Sequence, residues 1–187
     1  MDTLAPHLTL AELEAALDHL RAAPADLGTL ELIVRRPELG AREVLDEGVL
    51  DPEHGLVGDG WSRRPDRLSP DGGPDPLRQL TLMGFRVAAL VAADPGRIPL
   101  AGDQLYVDLD LSEANLPPGT RLAMGEAVLE MTALPHTGCA KFVSRFGVDA
   151  QRFVNSPTGR ALRLRGANAR VVVPGAVHPG DAVRKLA

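Results

Sequence analysis

Between residues 105 and 111 the side chains alternate without a fault: Leu105, Val107, Leu109 and Leu111 are apolar, and Tyr106, Asp108 and Asp110 stand between them. Successive side chains of a strand point to opposite faces, so this stretch is a half-buried strand and the rest of the chain must supply its sheet. Other short apolar runs meet that need. Leu30 to Val34, Gln79 to Met83, Arg121 to Met124 and Ala127 to Ala133 all read as strands, whereas Glu43 to Leu50 fits neither period. Near the end, Leu162 and Leu164 alternate with Arg163 and Arg165, Gly166-Ala167-Asn168 can turn, and Arg170 to Val173 returns, a pattern that predicts a hairpin. Val177 to Val183, broken by His178 to Asp181, closes the domain. Asp108 and Asp110 project opposite the leucines; a solvated acidic face explains them better than a metal site, because hard cations draw more oxygen ligands.

Helical signals are few. Thr9 with Glu12 fits a capping box, and Leu10, Leu13, Ala16, Leu17 and Leu20 follow at helical spacing, which predicts an amphipathic helix ending near Pro24. Val87 to Ala93 reads as a short helix stopped by Asp94-Pro95-Gly96, and His7 and His19 read as surface residues. The expected fold is therefore mainly β with a few short helices: an N-terminal amphipathic helix over residues 1–27 and a single domain over 28–187. No internal repeat, parallel βαβ rhythm or dinucleotide glycine fingerprint appears. The region from His54 through Pro76 is dense in turn formers and carries Trp61, Arg63, Arg64 and Arg67. A loop of that length is either a mobile surface segment or a lid with an aromatic platform and cations.

Composition removes several functions. With 20 basic and 25 acidic residues the chain carries a net charge of −5, which argues against general nucleic-acid binding, since that relies on a basic face. No apolar run is long enough to span a bilayer, and the start lacks the pattern of a signal peptide, so the expected location is cytoplasmic and away from membranes. One cysteine cannot form an internal disulfide. The five scattered histidines offer no paired spacing for zinc.

That cysteine, Cys139, lies in Pro135-His136-Thr137-Gly138-Cys139-Ala140-Lys141-Phe142. Between residues 141 and 170 stand Lys141, Arg145, Arg152, Arg160, Arg163, Arg165 and Arg170 against the single acid Asp149. Pro135 and Gly138 read as turn residues, and Phe142, Val143 and Phe146 share a helical face, with Lys141 and Arg145 on the other. Cys139 thus falls in or just before a first helical turn, where backbone N–H groups and cations favour the thiolate. Two readings compete: a reactive thiol, or a small buried side chain filling space beside the phenylalanines. A hydrolase built on Cys139 and His136 is a third, but no orienting Asn or Asp is identifiable. The basic segment suits a small anion, and Arg163 and Arg165, on one face of the predicted strand, can hold a phosphate or carboxylate with forked hydrogen bonds.

The cysteine stretch, together with Gly102-Asp103, Asn115-Leu116, Gly125 through Val128, Arg145-Phe146-Gly147, Arg152 through Asn155, Leu164-Arg165-Gly166, Asn168 through Val171 and Pro179-Gly180-Asp181, resembles the MOSC domain, the module related to the C-terminal domain of molybdenum cofactor sulfurases. The resemblance implies a compact β-barrel and an essential cysteine that ligates molybdenum or carries sulfur. It makes Cys139 the metal ligand and, with His136, the catalytic candidate. Thr137, Lys141, Arg145, Arg152, Asn155, Arg163, Arg165, Asn168 and Arg170 become candidates for binding the molybdenum cofactor, a molybdopterin. It further implies an oxidoreductase that removes oxygen from an N-hydroxylated small-molecule substrate, or alternatively a carrier of the cofactor or of sulfur. A single cysteine cannot hold an iron–sulfur cluster, so electrons would come from a separate donor protein. Pyridoxal phosphate would enter only through a partner cofactor sulfurase.

Overall fold

The computed structural model describes residues 7–65 and 72–186, and among these residues it contains eleven strands, five α-helices and three short 3-10 helices. In chain order the strands are β1 (Leu27–Arg35), β2 (Glu43–Leu45), β3 (Gly48–Asp51), β4 (Gly55–Leu56), β5 (Leu80–Gly84), β6 (Leu105–Asp108), β7 (Arg121–Met124), β8 (Ala127–Pro135), β9 (Ala167–Val173), β10 (Gly175–Val177) and β11 (Ala182–Lys185). The helices are α1 (Leu10–Ala15), α2 (Leu17–Arg21), α3 (Phe85–Ala92), α4 (Ala140–Asn155) and α5 (Pro157–Ala161). No helix among the described residues is long and apolar enough to cross a membrane.

Seven strands close a barrel in the order β11-β7-β8-β9-β5-β6-β1, with β1 returning to β11. β1 makes this possible by dividing one edge between two partners: Leu27–Thr29 pair with β11, and Ile33–Arg35 pair with β2. A smaller sheet, β10-β3-β4, extends from the barrel. Leucines and small apolar side chains fill the barrel, among them Leu30, Leu82, Leu105, Val107, Leu129 and Ala169. The mainly β architecture expected from the sequence is thus present as a seven-stranded barrel with short helices.

A second apolar layer covers one outer flank. Val34 of β1, Met83 of β5 and Tyr106 of β6 point out of the barrel and are buried beneath α1–α4, together with Leu13, Leu20, Val87, Phe142 and Phe146. This corrects the reading of residues 105–111 as a strand with one wet face. β5 and β6 pair in parallel through a crossover containing α3, and such strands are covered on both faces. Tyr106 is fully buried and donates its hydroxyl to Ile98 O at 3.2 Å, and Asp108 accepts two hydrogen bonds from Arg86. The β5–β6 pairing is the one parallel pairing among the described strands, a single unit and not a repeating βαβ rhythm.

The capping box forms as the sequence predicts: Glu12 N donates to Thr9 Oγ1, and Thr9 N donates to Glu12 Oε2. The helix is divided at Ala16 into α1 and α2, which bury Leu13 and Leu20 against the flank. The hairpin predicted at Leu162 to Val173 is corrected. Residues 162–165 form the turn after α5, and the predicted turn residues Ala167 and Asn168 begin β9. α5 starts properly, with Ser156 accepting from Gly159 N and Pro157 in its first turn, so local helix signals outweigh a two-residue alternation.

Candidate functional site around Cys139

β8 carries the chain to Pro135, three residues bridge the gap, and Cys139 forms the N-cap of α4. Its backbone is extended (φ −112°, ψ −179°), and its carbonyl accepts from the amides of Phe142 and Val143 at 2.9 and 3.1 Å. The loop is held from the far end of the same helix. Asn155 Oδ1 accepts from Gly138 N at 2.9 Å while its Nδ2 donates to Gly138 O at 3.0 Å. α4 accommodates this by breaking at Gly147, whose φ of 88° is outside the helical region. Phe142 and Phe146 are buried with ring centroids 5.0 Å apart, so they, and not the cysteine, fill the core on this face. The Cys139 thiol is exposed.

Partial desolvation pushes the Cys139 thiol up, but the amides of Phe142 and Lys141 and then the charge of Arg165 outweigh it, and the group titrates below its ordinary value. Behind the loop stands a buried ionic cluster. Asp103 Oδ1 lies 2.9 Å from His136 Nε2, and Asp103 Oδ2 accepts from Arg165 Nη1 at 2.7 Å. Arg165 also donates to Ala101 O at 3.1 Å, and its Cζ sits 5.0 Å from the Phe142 ring centroid. Burial pushes the Asp103 carboxyl up, yet Arg165 and His136 more than compensate and hold it at about 2. Asp103 is therefore an anion that can only accept, so the His136 nitrogen facing it, Nε2, is the donor of this contact, and Nδ1 is the other ring nitrogen. The orienting carboxylate that the sequence did not identify is Asp103, 33 positions before His136.

A second cationic cluster converges on Gly102. Arg36 donates to Gly102 O at 2.8 Å and is neutralised by buried Asp59, which accepts from its Nε and Nη2 at 3.0 and 3.1 Å. Arg145 donates to Leu100 O at 2.6 Å. Arg42 is half-buried, and its Nε has no hydrogen-bond partner among the described residues; desolvation and the charges of Arg145 and Arg36 push its pKa down. Gly102 has φ 91°, and a Cβ there would come within 3.3 Å of Arg42 Nη2 and 3.4 Å of Arg145 Nη1. Arg36 and Arg42 precede the cysteine by about a hundred residues, and no local pattern points from one to the other.

The structure brings together only part of the set proposed from the sequence. His136, Thr137, Arg163, Arg165 and Asn168 line one cavity of about 240 Å³ behind the cysteine loop. Arg145 joins the Gly102 cluster, and Asn155 serves as the loop clamp. Lys141 is exposed beside Cys139, while Arg152 faces Asp149 at 3.5 Å and Arg170 donates to Glu130 at 2.6 Å on the outside of the barrel. Arg163 and Arg165 do not share a strand face: Arg165 is buried against Asp103, and Arg163 donates to Leu116 O at 2.7 Å. In the long loop after His54, Trp61 Nε1 donates to Asp75 O and Arg63 to Pro37 O, whereas Arg67 lies outside the described residues.

The family model described as MOSC domain matches residues 88–184, more than half of the chain and including the cysteine loop. The chain belongs to the MOSC domain family. Solved structures that share its fold include the following two. The YuaD protein of Bacillus subtilis matches with a TM-score of 0.58 at 18% identity, over 84% of this chain and 94% of that one. YiiM of Escherichia coli matches with a TM-score of 0.54 at 24% identity, over 85% of this chain and 70% of that one. No curated protein matches the sequence. In this MOSC domain the family match spans β6–β11, and β1, from outside the matched residues, closes the barrel.

Proposed function

We propose that the protein binds molybdenum cofactor with Cys139 as the metal ligand, and that it acts as a reductase of N-hydroxylated small molecules supplied with electrons by a separate protein. The observation that carries this reading is the pairing of an exposed, acidified thiol with the unsatisfied cationic cluster at Gly102. A thiolate is a soft ligand suited to such a metal. The fit to an anionic cofactor rests on the buried, partnerless Nε of Arg42 and on the missing Cβ of Gly102 between Arg42 and Arg145. Buried donors without partners are rare, and a bound phosphate would satisfy them. Arg145 lies six residues after Cys139 on α4, a rise of about 9 Å, so one short helical segment carries both ends of the site.

Bound there, the cofactor supplies the two-electron redox chemistry of oxygen-atom removal. The chain's own contributions are separate. Cys139 fixes the metal, Arg42 and Arg145 hold the phosphate, and His136, oriented through Nε2 by Asp103, accepts or delivers a proton at Nδ1.

The test is to express wild type, Cys139→Ser and Arg42→Ala in cells that make the cofactor and to measure molybdenum and pterin per chain. Stoichiometric molybdenum in wild type, lost in Cys139→Ser and reduced together with pterin in Arg42→Ala, is the expected result. Folded wild type with neither molybdenum nor pterin sinks the reading. Bound molybdenum without turnover under any donor system leaves the cofactor assignment and replaces the reductase with a carrier.

A further inference from the structure

The cavity behind the cysteine loop has a charge balance and a backbone anomaly that the cofactor reading does not use. It lies between the ends of β8 and β9 and the turn that leaves α5, and Cys139 is not among its walls. One side is apolar, formed by Leu134, Pro135, Val154 and Ala167. Of its charged residues, Arg165 is matched by Asp103, which leaves Arg160 and Arg163 against Glu113, a single net positive charge. Arg160 is exposed and its side chain has no hydrogen-bond or ion-pair partner among the described residues. Arg163 bonds Leu116 O and, at 3.5 Å, Leu111 O through Nη1 alone. Its other two guanidinium nitrogens make no hydrogen bond among the described residues.

The backbone places Arg163 where a side chain is disfavoured. Arg163 N donates to Arg160 O at 3.1 Å and Leu164 N donates to Gly159 O at 2.8 Å, the two closing bonds of a helix that ends on a left-handed residue. That residue has φ 48°, and glycine ordinarily occupies it. Arg163 instead keeps an arginine side chain here, between this cavity and a neighbouring one walled by Arg86, Leu111 and Leu162, at a cost in local backbone energy.

We infer that this cavity is a carboxylate site: it takes a small monoanionic acid with an apolar body, the carboxylate held between Arg163 and Arg160 and the body against Leu134, Val154 and Ala167. One net charge suits a monoanion better than a phosphate dianion, which Glu113 would repel. The planar guanidinium fork matches a carboxylate in two parallel hydrogen bonds. The volume of about 240 Å³ is below the range of drug-sized pockets and limits the body to a few carbon atoms or one ring. The site is independent of the metal ligand.

Butyrate and benzoate, titrated by calorimetry and by backbone-amide NMR, test it against butan-1-ol, benzamide and inorganic phosphate. Both acids are expected to bind and to shift amides within residues 134–137 and 159–168, with the neutral analogues weaker by about tenfold or more. Arg163→Gly, which keeps the turn and its thermal midpoint, and Arg160→Ala, on the exposed surface, are each expected to weaken the acids by about tenfold. Cys139→Ser is expected to bind them as wild type does. The assignment is overturned by equal binding of the neutral analogues, by phosphate shifting the amides of residues 134–137 and 159–168 at lower concentration than either acid, by no binding at all, or by loss of binding in Cys139→Ser; phosphate binding that shifts only amides around Gly102 belongs to the cofactor reading and leaves this one standing. Unchanged binding in Arg160→Ala overturns it as well, whatever Arg163→Gly does to the fold.

Discussion

Arg165 donates to Asp103 across 2.7 Å, and both residues are buried: Arg165 is 6% exposed and Asp103 0%. Breaking such a pair leaves one charge buried and uncompensated, which costs about 3–5 kcal/mol. Asp103→Asn should lose stability of that order in urea unfolding, with Arg165 stranded against Phe142. A loss under about 1 kcal/mol would show that the pair does not hold the cysteine loop to the barrel.

The same carboxylate sets an acid limit. Asp103 titrates at about 2 in the fold against an ordinary 3.8, so its stabilisation is complete above 3.8 and is lost as pH falls through about 2. The depression corresponds to on the order of 2 kcal/mol. Urea midpoints measured between pH 2 and 6 should fall more steeply in wild type than in Asp103→Asn over that window. Parallel curves would remove Asp103 from the acid transition.

Thiol reactivity reports the Cys139 environment directly. The rate of alkylation by iodoacetamide should rise with pH to a midpoint below the ordinary thiol value of 9.0. A midpoint at or above 9.0 would mean that desolvation, and not the α4 amides and Arg165, governs the sulfur.

Asn155 clamps Gly138 with two hydrogen bonds, and Asn155→Ala removes both. The expected loss is about 1–3 kcal/mol, with faster amide exchange at Gly138 and an upward move of the alkylation midpoint as the loop leaves the α4 amides. Unaltered exchange at Gly138 would show that the loop is held by Val154 packing instead.

Period-two patterning located β6, and short apolar runs located β1, β5, β7 and β8, because strands around a barrel keep one face on the interior. It failed at Tyr106, whose burial depends on a second layer that strand periodicity does not encode, and at Leu162 to Arg165, where too few residues alternate to outweigh the Ser156-Pro157 helix start. The cysteine loop was legible from Pro135, Gly138 and the helical spacing after Cys139. Its supporting groups were not: Asp103 and Arg42 reach it through barrel topology, and a distance of 33 or about 100 positions leaves no trace in local sequence. Arg163 was noticed for its charge, but its left-handed backbone follows only from how α5 ends.

β1 and β11 join Leu27 to Arg184, more than 150 positions apart, and this pairing closes the barrel. During synthesis from the N-terminus, every other strand of the ring and the whole cysteine loop emerge from the ribosome before the closing strand does. Until Ala182–Lys185 dock, β1 and β7 present open edges, and strand edges in that state pair readily with other chains. The fold therefore passes through a late, vulnerable interval in its production. Anything loaded at Cys139 during that interval meets a half-finished wall, so the order of loading and closure becomes a property of this topology.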